Sequence, residues 1–129
     1  MINTKDFFPR FSITNKDERG NFSELIRTHS EGQLSYSTTN PEITRGNHFH
    51  TRKIERFSVI QGEAMIALRT IGKEEIMEFK VSGSKPSYID IPVWTTHNIT
   101  NIGTQDLITV FWINEHYDPK DADVYFEKV

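Results

Sequence analysis

The chain alternates apolar and polar positions in short runs closed by turn residues. No stretch keeps the three-to-four spacing of a long amphipathic helix. This pattern predicts strands over Phe22–Thr28, Gln33–Thr39, Thr44–His50, Glu55–Ile60, Ala64–Arg69, Glu75–Lys80, Ser87–Ile91, His97–Thr100 and Leu107–Asn114. Turn chemistry falls between them, at Glu18-Arg19-Gly20-Asn21, Asn40-Pro41, Gln61-Gly62, Ser82-Gly83, Ile91-Pro92 and Ile102-Gly103. Short strands at such regular intervals specify an all-β sandwich or barrel. One short turn of helix is expected over Pro119–Tyr125. The run Leu107–Ile113 is apolar on both faces, so its outer face should be covered. Another sheet of the same chain would do this, but a second subunit is the expected cover, which makes the protein a homodimer.

Composition narrows the class. At 129 residues, 36% hydrophobic and 26% charged, the chain fits one folded domain spanning residues 1–129. No apolar stretch is long enough to cross a bilayer, and no basic-then-apolar leader opens the chain, so no membrane partner is expected. The chain has no cysteine, which removes disulfides and thiolate ligands and fits a cytoplasmic location. Any metal must be held by nitrogen and oxygen. A net charge of −3 gives no general attraction to nucleic acid, so an anionic ligand needs a local basic cluster.

One segment carries such chemistry. In Arg45-Gly46-Asn47-His48-Phe49-His50-Thr51-Arg52-Lys53-Ile54-Glu55, His48 and His50 stand two apart and project to the same face of a strand. Glu55 lies an odd number of residues beyond His50, so it reaches that face only if the chain turns or bulges around Thr51–Lys53. A further imidazole comes from His97, after the Pro92–Thr96 turn. Three imidazoles and one carboxylate suit zinc, iron(II), manganese or nickel, with a position left open for water or substrate. A lone His-X-His would equally be two surface histidines on an edge strand; the joint spacing carries the weight. His29 and His116 fit no motif and read as surface residues, and Asn101 as a turn-positioning residue.

These residues resemble the cupin superfamily, whose first motif runs H-x-H-x3,4-E-x6-G; here His48-x-His50-x4-Glu55-x6-Gly62 matches. Pro92, His97 and Asn101 keep the separations of the second motif. Glu42 and Pro86 stand where the leading glycines would be, and Trp94 at the inner glycine. The implied fold is a single-domain cupin, a jelly-roll barrel or double-stranded β-helix. A narrower resemblance covers most of the chain. Asp17-Glu18-Arg19-Gly20-Asn21-Phe22-Ser23-Glu24 and Arg45-Gly46-Asn47-His48 are similar to elements of the cupin nucleotide-sugar 3,5-epimerases. Ser35-Tyr36-Ser37-Thr38-Thr39-Asn40-Pro41, Thr96-His97-Asn98-Ile99 and Phe111-Trp112-x-Asn114-Glu115 most resemble the C-terminal cupin domain of the CapF capsular polysaccharide enzymes.

That resemblance implies a zinc-dependent isomerase that inverts carbon 3 of a UDP-linked 4-keto-6-deoxy-N-acetylhexosamine. It also implies a partner reductase, as a fused domain or a separate protein. Reduction itself is not expected here, since the sequence contains no Gly-x-Gly phosphate loop. His48 occupies the place of the catalytic base in the metal-free epimerases; with His50, Glu55 and His97 completing a site, we assign it to the metal. Lys53 is then the candidate base, and Tyr36 and Tyr88 the candidates for the opposite-face acid. Arg45, Arg52 and Arg56 form a basic cluster suited to a diphosphate. Two other classes remain open: a metal-dependent cupin dioxygenase, and a non-catalytic module that binds a sugar nucleotide or a partner.

Overall fold

A computed structural model describes residues 12–30 and 32–129, with eleven strands and no helix among them. In chain order they are β1 (Thr14–Asp17), β2 (Gly20–Arg27), β3 (Gln33–Thr39), β4 (Thr44–Phe49), β5 (Glu55–Gln61) and β6 (Glu63–Thr70). β7 (Met77–Ser82), β8 (Ile89–Ile91), β9 (Thr95–Asn101), β10 (Leu107–Ile113) and β11 (Tyr125–Phe126) follow. They form two antiparallel sheets, ordered β1-β2-β3-β10-β5-β8 and β11-β4-β9-β6-β7. The two sheets face each other across one interior, and the barrel is a cupin.

Alternation decides what enters that interior. On β5, Phe57 and Val59 are buried and Glu55 points the same way, while Arg56 is exposed. Phe57, Val59, Ala64, Ile66, Leu68, Ile91, Ile99 and Leu107 make one apolar core. β3 contributes a polar inner row instead, Gln33, Ser35, Ser37 and Thr39, all buried. The interior thus combines an apolar core with a polar row that runs the length of β3, and part of it stays open as a cavity.

The nine expected strands are all present, with shifted ends. β7 begins two residues later than expected, and β9 starts at Thr95 rather than His97. Two strands escaped the pattern. β1 is Thr-Asn-Lys-Asp, polar and exposed throughout, so it pairs with β2 without a hydrophobic signature. β11 has only two residues. The expected helical turn over Pro119–Tyr125 is absent. Asp118 closes a single turn by accepting from the amides of Lys120 and Asp121, Asp123 then takes a left-handed φ of 51°, and the chain runs on into β11 beside β4. Its backbone groups go to neighbouring strands and loops, which removes the reason to coil.

The outer face of β10 carries Ile108, Val110 and Trp112, level with Thr38, Tyr36 and Leu34 of β3. Trp112 remains 41% exposed, so no sheet of the described chain covers this face.

Candidate metal centre

His48 and His97 are cross-strand partners of β4 and β9, and their rings lie 4.7 Å apart. This pairing depends on a bulge. The β4–β9 register shifts between Gly46 and His48, where Gly46 (φ 100°) and Asn47 (φ 58°) both adopt left-handed backbone. A Cβ on Gly46 would sit 2.7 Å from the His97 carbonyl oxygen, so only glycine lets the two strands approach this closely. Phe49, on the opposite face, stacks between Trp94 and Tyr125 at 5.7 and 5.3 Å. His48 and His50 therefore turn inward together, with ring centroids 5.2 Å apart.

The chain turns between His50 and Glu55 in a loop from β4 to β5, and one carboxylate holds it. The amides of Thr51, Arg52 and Lys53 all donate to Asp123, at 3.0–3.2 Å, and the Thr51 hydroxyl donates to it at 2.6 Å. Burial opposes the charge on Asp123, but these donors outweigh burial and hold the carboxyl well below its usual range. Past this loop Glu55 enters β5 facing inward, and its Oε2 lies 2.9 Å from His97 Nε2 and 3.3 Å from His50 Nε2.

The ligand atoms of His48, His50, Glu55 and His97 all fall within 4.8 Å of one another. His50 Nδ1 is 2.6 Å from the Asp123 carbonyl and His97 Nδ1 is 3.1 Å from the Thr95 carbonyl. Each Nδ1 must therefore carry the proton, which leaves both Nε2 atoms as acceptors. Those two nitrogens and Glu55 Oε2 are buried with no hydrogen-bond partner among the described residues. Acceptors crowded this closely in a buried site require a proton or a cation between them. Burial first, then the neighbouring His97, lowers the pKa of His48 to about 4, so that ring is neutral and able to coordinate. Burial alone would raise the pKa of Glu55, yet the two imidazoles keep it ionised far below its ordinary range. A neutral-imidazole and carboxylate donor set of this kind fits a divalent cation.

The site forms the floor of a cavity of about 620 Å³. Phe22, Phe57, Phe111 and Ile99 supply its apolar wall, and Gln33, Ser35 and Glu24 add polar groups. Lys53 lines it as well. Its side chain is buried, with Nζ donating to the Ala122 carbonyl at 2.9 Å and 5.7 Å from the Tyr117 ring.

The remaining candidates separate. Arg45 reaches the cavity, held by Thr39 Oγ1 at 2.9 Å and the Thr38 carbonyl at 3.1 Å. Burial, and after it the nearby Arg19, lowers its pKa. Arg19 lines the same cavity while bound to Asp17 at 2.6 Å, so among the described residues the arginines that line it are Arg19 and Arg45. Arg52 and Arg56 do not join them. Arg52 is exposed and bound to Glu115 and Asp121, while Arg56 pairs across strands with Asp90 and stacks on the Tyr88 ring at 3.9 Å. Tyr88 is itself exposed on that outer surface, and Tyr36 alternates with the buried Ser35 and Ser37, so it faces away from the cavity. The tyrosine that lines the cavity is Tyr117, in a segment that belongs to no motif. Asp123 was likewise missed, being one acid in a polar tail. His29 is exposed as expected, whereas His116 is half-buried and bonded to the Thr28 carbonyl at 2.8 Å.

Two departures from the cupin pattern have a structural reading. Glu42 and Trp94 stand at glycine positions of the motifs, and both keep positive φ, 68° and 56°. Trp94 offsets that strain by donating its amide to the His50 carbonyl at 2.7 Å and stacking on Phe49.

Comparison with known proteins agrees with this picture. The chain is 40% identical over 110 residues to the UDP-2-acetamido-2,6-beta-L-arabino-hexul-4-ose reductase of Pseudomonas aeruginosa, covering 84% of this chain and 29% of that protein. It is 43% identical to the capsular polysaccharide assembling protein CapF of Staphylococcus aureus, with a TM-score of 0.93 over 97% of this chain and 34% of that one. It thus spans about a third or less of either protein. The spore coat polysaccharide biosynthesis protein SpsL of Bacillus subtilis is 23% identical over 123 residues, 86% of this chain and 80% of that protein. Residues 15–125 match the family described as polysaccharide biosynthesis C-terminal domain, and the chain belongs to that family.

Proposed function

We propose that this cupin is a metal-dependent epimerase that inverts carbon 3 of a UDP-linked 4-keto-6-deoxy-N-acetylhexosamine in surface polysaccharide assembly. The observation that carries the reading is the convergence of His48, His50, Glu55 and His97, with unpartnered buried acceptors, on the floor of a cavity. The Pseudomonas relative is named for a UDP-linked acetamido sugar with its ketone at carbon 4, which supports the substrate class. The reductive activity in that name has no counterpart here, because the described residues include no helix and so no βαβ nucleotide unit. A reductase supplied by a fused domain or a separate protein completes the reaction sequence.

A ketone at carbon 4 acidifies the hydrogen on carbon 3. A divalent cation, zinc by preference, held by the four residues would supply Lewis-acid stabilisation of the charge that develops on oxygen 4. Lys53, the one lysine lining the cavity among the described residues, is the base we assign to carbon 3. Tyr117, whose ring lies 5.7 Å from Lys53 Nζ, replaces Tyr36 and Tyr88 as the proton donor. Arg19 and Arg45, both of which line the cavity, are the residues we assign to the diphosphate. The apolar wall of Phe22, Phe57 and Phe111 keeps water from the reacting carbon.

The test is incubation with the UDP-4-keto sugar in heavy water, followed by NMR of the ring protons. Deuterium enters at carbon 3 while the carbonyl stays at carbon 4. Exchange no faster than in buffer ends the epimerase reading, and a migrating carbonyl indicates a ketoisomerase. A second copy of the chain is the cover we assign to the outer face of β10, around Trp112. Equilibrium sedimentation should give a dimer that Trp112→Arg dissociates, and a wild-type monomer would refute the pairing.

A further inference from the structure

We propose that Asp123 is the positioning residue of this metal centre: its main-chain oxygen sets the tautomer of His50, and its carboxylate holds the loop that returns Glu55 to the site. The inference rests on reading His48, His50, Glu55 and His97 as metal ligands.

Two ligands flank a loop of four residues, and the spacing between them is wrong for a continuous strand. The carboxylate of Asp123 collects the amides of three consecutive residues, Thr51, Arg52 and Lys53, and the Thr51 hydroxyl. These donors would otherwise need water in a part-buried site. The same residue places its carbonyl 2.6 Å from His50 Nδ1, which commits Nε2 to the cavity. Doing both from one residue requires the left-handed φ of 51°, a conformation that Asp and Asn adopt more readily than other side chains with a Cβ. Anchoring the tail is not its sole use, because the tail has other anchors. Glu127 donates its amide to the Asn47 carbonyl at 3.0 Å, and Arg69 binds the Glu127 carboxylate and the Lys128 carbonyl at 2.8 Å each.

The experiment compares wild type with Asp123→Asn, Thr51→Val and Arg69→Ala as full chains. Zinc affinity is read by chelator competition, and coordination by the visible spectrum of the Co²⁺-loaded protein. Asp123→Asn keeps size and backbone preference but turns one acceptor oxygen into a donor facing the Thr51 amide. It should weaken zinc binding about 10- to 100-fold and alter the Co²⁺ bands. Thr51→Val removes one donor and should give the same spectral change more weakly, which serves if the Asn variant does not fold. Arg69→Ala loosens the tail and frees the Lys73 carbonyl without touching the Thr51–Lys53 loop; it should lower the melting temperature while leaving zinc affinity within about two-fold. A folded Asp123→Asn protein with unchanged affinity and unchanged Co²⁺ spectrum overturns the inference, as does an Arg69→Ala protein that loses zinc equally. A wild-type protein that takes up neither ion overturns the metal reading itself and this inference with it.

Discussion

Burial lowers the pKa of His48 to about 4, whereas the Glu55 carboxylate, working against burial, raises that of His50 above its ordinary 6.5. In metal-free protein the two rings therefore act with opposite signs. As pH falls from 6.5 toward 4, the unfolded chain takes a proton on His48 that the folded protein refuses, and stability is lost. As pH rises from 6.5 through the raised pKa of His50, the favourable His50–Glu55 pairing is lost. Glu55 follows the carboxylate rule, contributing above its ordinary 4.5 and losing that contribution as pH falls. The melting temperature of chelator-treated protein should thus peak near pH 6.5. Zinc-loaded protein should keep gaining stability up to about pH 8, because ligation requires neutral rings and competes with the proton on His50. Metal-free protein that instead stabilises steadily from pH 6 to 8 contradicts this assignment. Lys53 gives a separate test. Lys53→Gln leaves the loop amides on Asp123 untouched, so it should retain zinc while slowing deuterium exchange at carbon 3 by about 100-fold or more. Loss of zinc together with exchange would make Lys53 a structural residue.

At the level of the strand, the site depends on two irregularities rather than on ideal pairing. The bulge at Gly46–Asn47 brings His48 opposite His97, and the loop after His50 brings Glu55 around. Regular alternation by itself would turn Glu55 away from His50. Gly46→Ala should cost about 1–3 kcal/mol, since the new Cβ combines a left-handed backbone with a contact at 2.7 Å to the His97 carbonyl. Chemical denaturation measures that cost, and elemental analysis should find the metal depleted along with it. The positive φ at Glu42 and Trp94 shows that glycine at these motif positions answers a backbone demand. Both turns survive without glycine because hydrogen bonds meet it, from the Glu42 amide to the Asn101 carbonyl at 3.1 Å and from the Trp94 amide to that of His50.

Across the whole barrel, the candidate ligands come from both sheets. His48 and His97 stand on β4 and β9 of one, Glu55 on β5 of the other, and His50 in the connection between them. A bound ion would therefore tie the two sheets together where the apolar core, through Phe57 and Ile99, borders the cavity. At a thousand-fold excess over Kd, binding to the folded state alone contributes about 4 kcal/mol. Removing the metal should accordingly lower the melting temperature by roughly 10 °C or more. Scanning calorimetry with and without chelator checks it, and a shift near zero would mean that the ion does not bridge the sheets.

The pattern of apolar and polar positions was enough to name nine of the eleven strands, because inner residues such as Phe57, Val59, Ile66 and Leu68 must alternate with outer ones to fill one core. Spacing was enough to group His48, His50 and Glu55 as candidate ligands, since a chelating pair two residues apart and a returning carboxylate leave a local signature, whereas His97 joined them through the resemblance to the second cupin motif. What decided the rest acts across long separations, where spacing is silent. Asp123 reaches Thr51 from 72 residues away, and Arg19, in the turn between β1 and β2 of one sheet, meets Arg45, on β4 of the other, only when the two sheets enclose the cavity. Arg52 and Arg56, adjacent to the ligands in sequence, were drawn outward by Glu115, Asp121 and Asp90. Neighbourhood along the chain sets which way a side chain can point, but its partner is set by whichever strand the fold places opposite.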